Sequence, residues 1–265
     1  MFKHFPAEFV YQCFALIFSV ILVHGAYVTV VRPNAEVQLA EQRALVARQP
    51  DAEIESSVYV ILKDYEQEAC FMLMLWAMAI LAYKWTTVLR ERGLLEEDLL
   101  PLTEGIKILP EDARRYAKPL QALKPILRNL LLPRAVFQSL TRFETTRGVQ
   151  DAASATSALC QNEGERLDSE LAQIRYIAWA IPSIGFIGTV RGIGNAMGLA
   201  HRAVQGDISG VTENLGTAFN STLIALLLSI VLMFLVHQLQ LAQERLVLDT
   251  ETYVNDRLIR HLRTS

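Results

Sequence analysis

The sequence has few of the features that mark a secreted, metal-binding or nucleic-acid-binding protein. Its three cysteines, Cys13, Cys70 and Cys160, are odd in number and far apart, so neither a disulfide framework nor a metal knuckle follows. The formal net charge is −3 with mixed signs, which leaves no broad basic face for a nucleic-acid partner. No nucleophile elbow, P-loop or metal triad occurs. We therefore expect no enzyme activity and no cofactor.

Long apolar runs are the main feature that is present, in a chain that is 52% hydrophobic. A bilayer core of about 30 Å needs about 20 apolar residues in helical form, because every backbone N–H must be bonded within its own segment. Four runs meet this requirement: 10–31, 70–89, 176–200 and 215–239. The sequence thus predicts an all-α integral membrane protein with four transmembrane helices in contact with membrane lipid.

The first run, 10–31, allows a second interpretation as a cleaved signal peptide. It is long, however, and no clear small-x-small cleavage site precedes Arg32, so a retained helix is favoured. In the second run we expect Lys84 to snorkel towards the interface and Trp76 and Trp85 to lie near it.

The positive charges predict the orientation of the four spans. Lys and Arg collect in the segment 90–175, which is therefore expected to be cytoplasmic, whereas the connectors 32–69 and 201–214 are expected to face outward. The N-terminus and the tail 240–265 then lie in the cytoplasm. The predicted organisation is an N-terminal helix pair with its connector (1–89), a cytoplasmic helical region (90–175), a second helix pair (176–239) and a cytoplasmic C-terminal helix (240–265).

Prolines separate the cytoplasmic region into two parts with different predicted helices. Each proline removes a backbone donor and restricts the residue before it, so the front of the region should form short helices, with prolines at 101, 110, 119, 125 and 133. The stretch from Gly148 to Pro182 has no other proline, and the third span should therefore extend many turns into the cytoplasm. Helical spacing in the tail predicts the same for the fourth span.

The third span carries small residues where a plain anchor would carry Leu, Ile and Val. Its stretch "AIPSIGFIGTVRGIGNAMG" contains two GxxxG pairs, a spacing that lets helix backbones approach closely. The candidate packing residues are Gly185, Gly188, Gly192, Gly194 and Gly198. Pro182 costs one backbone hydrogen bond and predicts a kink.

Weakly polar residues recur every four positions in the fourth span and form one stripe, with Thr222 on its edge. The stripe consists of Thr217, Ser221, Ala225 and Ser229. One interpretation is tight packing of the third and fourth spans against each other. The other is a lumen for ions or for a foreign helix, and the joint presence of Pro182, Thr189 and Thr222 beside the stripe favours it.

These two spans resemble the paired signature of the MotA/TolQ/ExbB proton channel family. In that family a proline-leading, glycine-rich helix with a G-T-V-x-G core precedes a helix with a second lumen threonine, and Thr189 and Thr222 match these positions. The resemblance covers about 165–245 and is nearer the ExbB/TolQ branch, with an added first helix. Two residues differ from the common pattern: Arg191 replaces a tryptophan, and Thr217 replaces a glutamate found in many ExbB and TolQ sequences.

The resemblance implies an ion-driven motor subunit in the bacterial cytoplasmic (inner) membrane. It implies a homopentamer that encloses the single spans of two copies of an ExbD/TolR/MotB-like partner, whose aspartate binds H⁺, or alternatively Na⁺. The 176–239 pair would form the channel, with an ion path along Pro182, Thr189, Thr217, Ser221 and Thr222. The alternative function is a passive membrane scaffold.

Three further side chains received less specific interpretations. Arg191 is expected to extend outward, because a central arginine would cost a few kcal/mol. His24 and His237 are interpreted as packing or interfacial residues rather than proton relays.

Overall fold

The computed structural model of the chain describes residues 7–48, 57–96 and 106–264. Regular structure in this part of the chain is helical, which confirms the predicted all-α class. Four of the helices described there are long and apolar enough to cross a membrane, Ala7–Gln42, Tyr65–Leu95, Val149–Gly198 and Ser209–His261. Each of them contains all or nearly all of one predicted span.

The first span begins a helix that continues well beyond the apolar run. Helix α1 (Ala7–Ala26) passes through one π-helical turn (Tyr27–Val31) directly into α2 (Arg32–Arg48). A short helix α3 (Val58–Leu62) follows and is capped by Ser57, whose hydroxyl accepts from the Tyr59 N–H at 3.3 Å. Helix α4 (Tyr65–Leu95) contains the second span.

The front of the segment between the second and third spans forms short helices, as its prolines predict. They are α5 (Ala113–Gln121), α6 (Pro125–Arg128) and α7 (Leu131–Thr146). Pro125 and Pro133 lie in the first turn of their helices, where a missing N–H costs little. Pro119 lies inside α5 near its end, and Pro101 lies outside the described residues.

The two longest helices carry the third and fourth spans. Helix α8 (Val149–Gly198) begins directly after Gly148, as predicted, and a short helix α9 (Ala200–Val204) connects it to α10 (Ser209–Arg257). The predicted C-terminal helix to residue 265 was too long, because α10 ends at Arg257 and a 3₁₀ turn (Ile259–His261) follows. The chain then pairs with Ile108, which donates to the His261 carbonyl at 2.8 Å and accepts from the Arg263 N–H at 3.0 Å.

The residues divide into two compact units. The membrane unit comprises Met1–Ala82 and Gln173–Val236. Within it, the Trp76 indole donates to the Gln12 carbonyl at 3.0 Å and the Tyr11 hydroxyl donates to the Ala79 carbonyl at 3.1 Å, which joins α1 to α4. The buried Cys70 thiol lies 3.5 Å from the Ile181 carbonyl and joins α4 to α8.

The extramembrane unit comprises Tyr83–Ala172 and His237–Ser265. Apolar side chains from α5, α7 and α8, from the C-terminal end of α10 and from the residue after it form its core, including Leu120, Leu132, Leu140, Phe143, Val254 and Leu258. Lys84 is not a snorkelling residue as expected, since it is 5% exposed and its ammonium lies 2.8 Å from the Glu170 carboxylate. A partner one helix away neutralises this lysine, so it need not reach water.

Candidate functional site

Three of the five candidate glycines let α8 approach α10 closely within the membrane unit. A Cβ atom at Gly185 would overlap the Ala225 Cβ, and one at Gly192 would lie 2.7 Å from the Ala218 Cβ. A Cβ at Gly188 would lie 2.7 Å from the Ser221 Cβ. Real Cβ atoms do not approach so closely, and the contact therefore requires glycine on α8 and small residues on α10.

The other two glycines have a different environment. A Cβ at Gly194 or Gly198 would meet no atom within 4 Å. The first GxxxG pair thus faces α10, whereas the second is open in the single chain. The glycine spacing is the same in both pairs, and only the structure separates them.

The two candidate threonines meet between α8 and α10. The hydroxyls of Thr189 and Thr222 are hydrogen-bonded to each other. The Thr222 hydroxyl also lies 3.0 Å from the Gly185 carbonyl, and the Thr189 hydroxyl lies 3.2 Å from the Ala218 carbonyl. Both side chains are half-buried. Four oxygens, two of them in hydroxyls that both donate and accept, therefore gather at one level of the helix pair.

Pro182 lies inside α8 without interrupting it. As proline has no N–H, the carbonyl of Ala178, four residues earlier, loses its helical partner. The Ser229 hydroxyl of α10 donates to this carbonyl at 2.9 Å. One member of the serine stripe thus satisfies the backbone group that the proline leaves free, a role that sequence spacing did not reveal.

Of the remaining candidates, Ser221 contacts α8 and Thr217 lies one turn before it on α10. Ser221 is buried, 1% exposed, and donates to the Thr217 carbonyl at 2.9 Å. Its hydroxyl oxygen would lie 2.9 Å from a Cβ at Gly188. Thr217 is half-buried.

Arg191 has an acidic partner that the sequence analysis missed. Its guanidinium lies 2.8 Å from the carboxylate of Glu66, at the start of α4, and the Glu66 side chain is 11% exposed. An ion pair thus joins the Arg191 side chain to the start of α4, a partner that the expectation of outward extension did not include. In the sequence, Glu66 is one of many acidic residues in the connector. Helical spacing cannot predict its contact with Arg191, because the two residues are 125 positions apart.

A second missed carboxylate, Glu68, lies near the π-helical turn. Glu68 is 4% exposed, accepts at 2.6 Å from His24 and is also paired with Arg32. In a regular α-helix, residues eight positions apart would point about 80° away from each other. The π turn between His24 and Arg32 adds a residue to one turn and brings them to the same side. His24 thus has a specific polar partner, which the interpretation as a packing residue did not include.

The surroundings of Thr189 and Thr222 contain no acidic side chain from their own helices, unlike the surroundings of His24 and Arg32, which are paired with Glu68. The apolar segments 176–200 and 215–239 contain no Asp or Glu, so the threonine hydroxyls have no carboxylate of their own helices beside them. Among the described residues, no group of three or more His, Cys, Asp or Glu is arranged to hold a metal ion. The two apolar segments can offer hydroxyl and carbonyl oxygens to an ion or a water molecule, but they carry no carboxylate that would retain a cation.

Comparison with known proteins gives one match. Residues 128–252 match the model of the MotA/TolQ/ExbB proton channel family. This region contains α7, all of α8, most of α10 and both threonines. It spans somewhat less than half of the 265 residues. The match is to a channel family rather than an enzyme family, and it does not distinguish the ExbB/TolQ branch.

No curated protein and no solved structure matches the chain.

Proposed function

We propose that the chain is an ion-conducting subunit of a membrane motor. In this proposal it forms a homopentamer around two copies of an ExbD/TolR/MotB-like single-span protein and couples the proton motive force, or a sodium gradient, to mechanical work across the cell envelope. The observation that carries the proposal is the meeting of Thr189 and Thr222 inside the region that matches the channel family. Four membrane-spanning helices in the described residues are consistent with it.

The chemistry of the helix pair supports a requirement for a partner. Ion-binding sites inside membranes rely on ionisable side chains, and α8 and α10 supply none within their apolar segments. A carboxylate from a second protein would complete the site, with the two threonine hydroxyls as neighbouring donors and acceptors. Each charge that crosses the membrane releases about 2.3 kcal/mol per 100 mV, which is enough to bias a rotation or shift with low barriers.

The proposed setting is the bacterial inner membrane, with both termini in the cytoplasm. The support is the excess of Lys and Arg in 90–175 and in the tail. Gln121 is exposed at the end of α5, so a cysteine there is a suitable probe. A membrane-impermeant reagent should not label Gln121→Cys in intact cells, and efficient labelling would contradict the orientation.

A passive scaffold is the second candidate function, and one observation favours it. The α8–α10 contact uses Gly185, Gly188 and Gly192 for close packing. A scaffold subunit requires such packing but requires no ion flow. Under the scaffold hypothesis the threonine pair serves only to join α8 to α10.

Hydroxyl deletion separates the two functions. Thr189→Val and Thr222→Val keep the side-chain volume and remove the hydroxyl, so the channel hypothesis predicts assembled complexes that have lost ion-driven work. The scaffold hypothesis predicts normal behaviour of both valine variants and loss of assembly in the control, Gly188→Leu. Each variant would be purified with its partner and assayed in parallel for the energised process. Assembled valine variants with wild-type activity would overturn the channel proposal.

A further inference from the structure

Two large apolar side chains in the described parts of 90–172 and 237–264 are strongly exposed. Ile126 is 73% exposed and Leu248 is 61% exposed. Within the described parts of 90–172 and 237–264, the next such side chain is Leu109 at 36%. Ile126 and Leu248 both lie outside the four apolar runs. Single exposed apolar side chains are common on protein surfaces, so the surroundings of each one decide whether it marks a protein contact.

Leu248 lines a groove between α8 and α10, which we call the acidic groove. Its rim carries Glu165, Asp168 and Glu244, its apolar wall includes Leu167 and Val247, and its volume is about 550 Å³. Glu165 and Glu244 each accept from a neutral glutamine amide one turn away, at 3.3 and 3.1 Å. The glutamine amides carry no charge, so the negative charges of Glu165 and Glu244 favour a cationic occupant.

Gln243 gives the acidic groove a second, independent feature. This side chain lines the groove and is 4% exposed, and its buried Oε1 has no hydrogen-bond partner among the described residues. A buried acceptor without a donor is costly. A lysine or arginine side chain that entered the groove would supply the missing donor.

Ile126 lies on a surface with the complementary pattern, which we call the basic edge. It consists of the end of α5 and all of α6, with exposed Lys118, Lys124 and Arg128 around the exposed Ile126. The local sequence "KPILR" places one cation on each side of the isoleucine. A cation–apolar–cation surface fits an apolar groove with an acidic rim.

The start of α7, which follows the basic edge in the chain, lies at the level of the acidic groove along α8. The guanidinium of Arg134 in α7 lies 3.2 Å from the Glu163 carboxylate, one residue before the groove begins at Gly164. Arg128, at the end of the basic edge, lies only a few residues before the start of α7 at Leu131. In a ring of parallel copies around an axis along α8, equal levels come into contact.

We propose that the basic edge of one copy docks into the acidic groove of the next copy around the ring. This inference rests on the homo-oligomer of the proposed function and names a contact that holds it together outside the membrane. The contact is heterologous, since each copy offers one surface of each kind, and repeated contacts close a ring. Ile126 enters against Leu248, while Lys124 and Arg128 face Glu165 and Glu244.

The test is disulfide formation between two differently tagged copies that are expressed together. One copy carries Ile126→Cys and the other Leu248→Cys, both with Cys13→Ser, while the buried Cys70 and Cys160 remain. The matched control is Asp249→Cys, which is exposed and adjacent but lines a different groove. After oxidation in membranes, we expect a heterotypic 126–248 disulfide at least about tenfold more abundant than the 126–249 product.

Charge reversal sharpens the test. Lys124→Glu or Glu244→Lys alone should lower the yield of the 126–248 disulfide about tenfold, because each places like charges together. Both changes in the same chains should restore it. Failure of the double variant to recover, with both single variants reduced, would overturn the proposed pairing.

Native mass spectrometry of the detergent-extracted protein distinguishes failure of this docking contact from failure of the proposed homopentamer. An oligomer with the enriched 126–248 disulfide supports the contact. An oligomer with equal 126–248 and 126–249 yields overturns the contact and leaves the motor proposal standing. A monomer overturns the homopentamer of the proposed function and, with it, this inference.

Discussion

The membrane unit and the extramembrane unit hold the same two helices, α8 and α10, by opposite means. In the membrane unit the contact consists of Gly185, Gly188 and Gly192 against Ala218, Ser221 and Ala225. In the extramembrane unit the ends of these helices belong to a core of large side chains such as Leu140, Phe143 and Leu258. One chain therefore changes its packing chemistry along a single pair of helices.

The solvent explains this difference. In water, burial of large apolar side chains is favourable by about 25 cal/mol per Å² of apolar surface. In lipid that gain is absent, so the helices associate through close backbone approach and interhelical hydrogen bonds. The bonds from Ser229 to the Ala178 carbonyl and from Thr222 to the Gly185 carbonyl are of this second kind.

The largest effect is expected in the water-facing core. Phe143 is fully buried, and Phe143→Ala should lower the stability of the extramembrane unit by about 3–5 kcal/mol because it leaves a cavity. Hydrogen exchange in α7 would report the loss. Phe137→Ala is the control, since this phenylalanine is only partly buried. Equal losses from both variants would contradict the described core.

A smaller effect is expected from an added methyl group in the membrane unit. Gly192→Ala should destabilise the α8–α10 contact by about 1–3 kcal/mol, because its Cβ would lie 2.7 Å from the Ala218 Cβ and 2.9 Å from the Asn214 carbonyl. The same change at Gly194, which has open space around it, should be tolerated. Thermal unfolding in detergent compares the two. A larger loss of thermal stability from Gly194→Ala than from Gly192→Ala would contradict the described α8–α10 contact.

A third prediction concerns the ion pair between the buried Lys84 ammonium and the Glu170 carboxylate in the extramembrane unit. Lys84→Met removes the ammonium that lies 2.8 Å from the Glu170 carboxylate, and Glu170→Gln removes the negative charge beside the buried ammonium. Each single change should destabilise the protein, and the double variant should lose less than the sum, with a coupling of about 0.5–3 kcal/mol. Strict additivity in a thermal double-mutant cycle would show that the pair makes no net contribution.

The smallest effect concerns the reactivity of Cys160, in the part of α8 outside the apolar segment. Burial and the nearby Glu251 and Glu163 raise the pKa of this thiol to about 11. The thiolate is the reactive form, so alkylation at pH 8 should be at least about tenfold slower than at an exposed Leu248→Cys in the same chain. Mass spectrometry of tryptic peptides measures both rates. Comparable rates would mean that the Cys160 thiol is not buried as described.

The four helices could be predicted from the sequence because their signal is local. Length and hydropathy of each run decide whether a helix can cross a bilayer, and the absence of proline between Gly148 and Pro182 decided that α8 would be long. The end of α10 at Arg257 was missed, since the backbone pairing of Ile108 with the C-terminal segment is a long-range contact.

The site could be predicted only in part, because some of its contacts are also long-range. The residue types and spacing identified Thr189 and Thr222, and the structure brings their hydroxyls together; their role in ion flow stays a prediction. The spacing could not separate the packed Gly188 from the open Gly194. Neither Glu66 as the partner of Arg191 nor Ser229 as the partner of the Ala178 carbonyl follows from any periodicity, because each depends on which helix lies beside which.

Ion flux through the assembled complex tests the central claim most directly. The chain and its partner would be reconstituted together in liposomes that contain a pH-sensitive dye, and an imposed proton or sodium gradient would drive the flux. We predict that Thr189→Val combined with Thr222→Val lowers the flux at least about tenfold, or about 1.4 kcal/mol in the barrier, while the complex keeps its mass. A double-valine complex that conducts as fast as the wild type would contradict an ion path along these threonines.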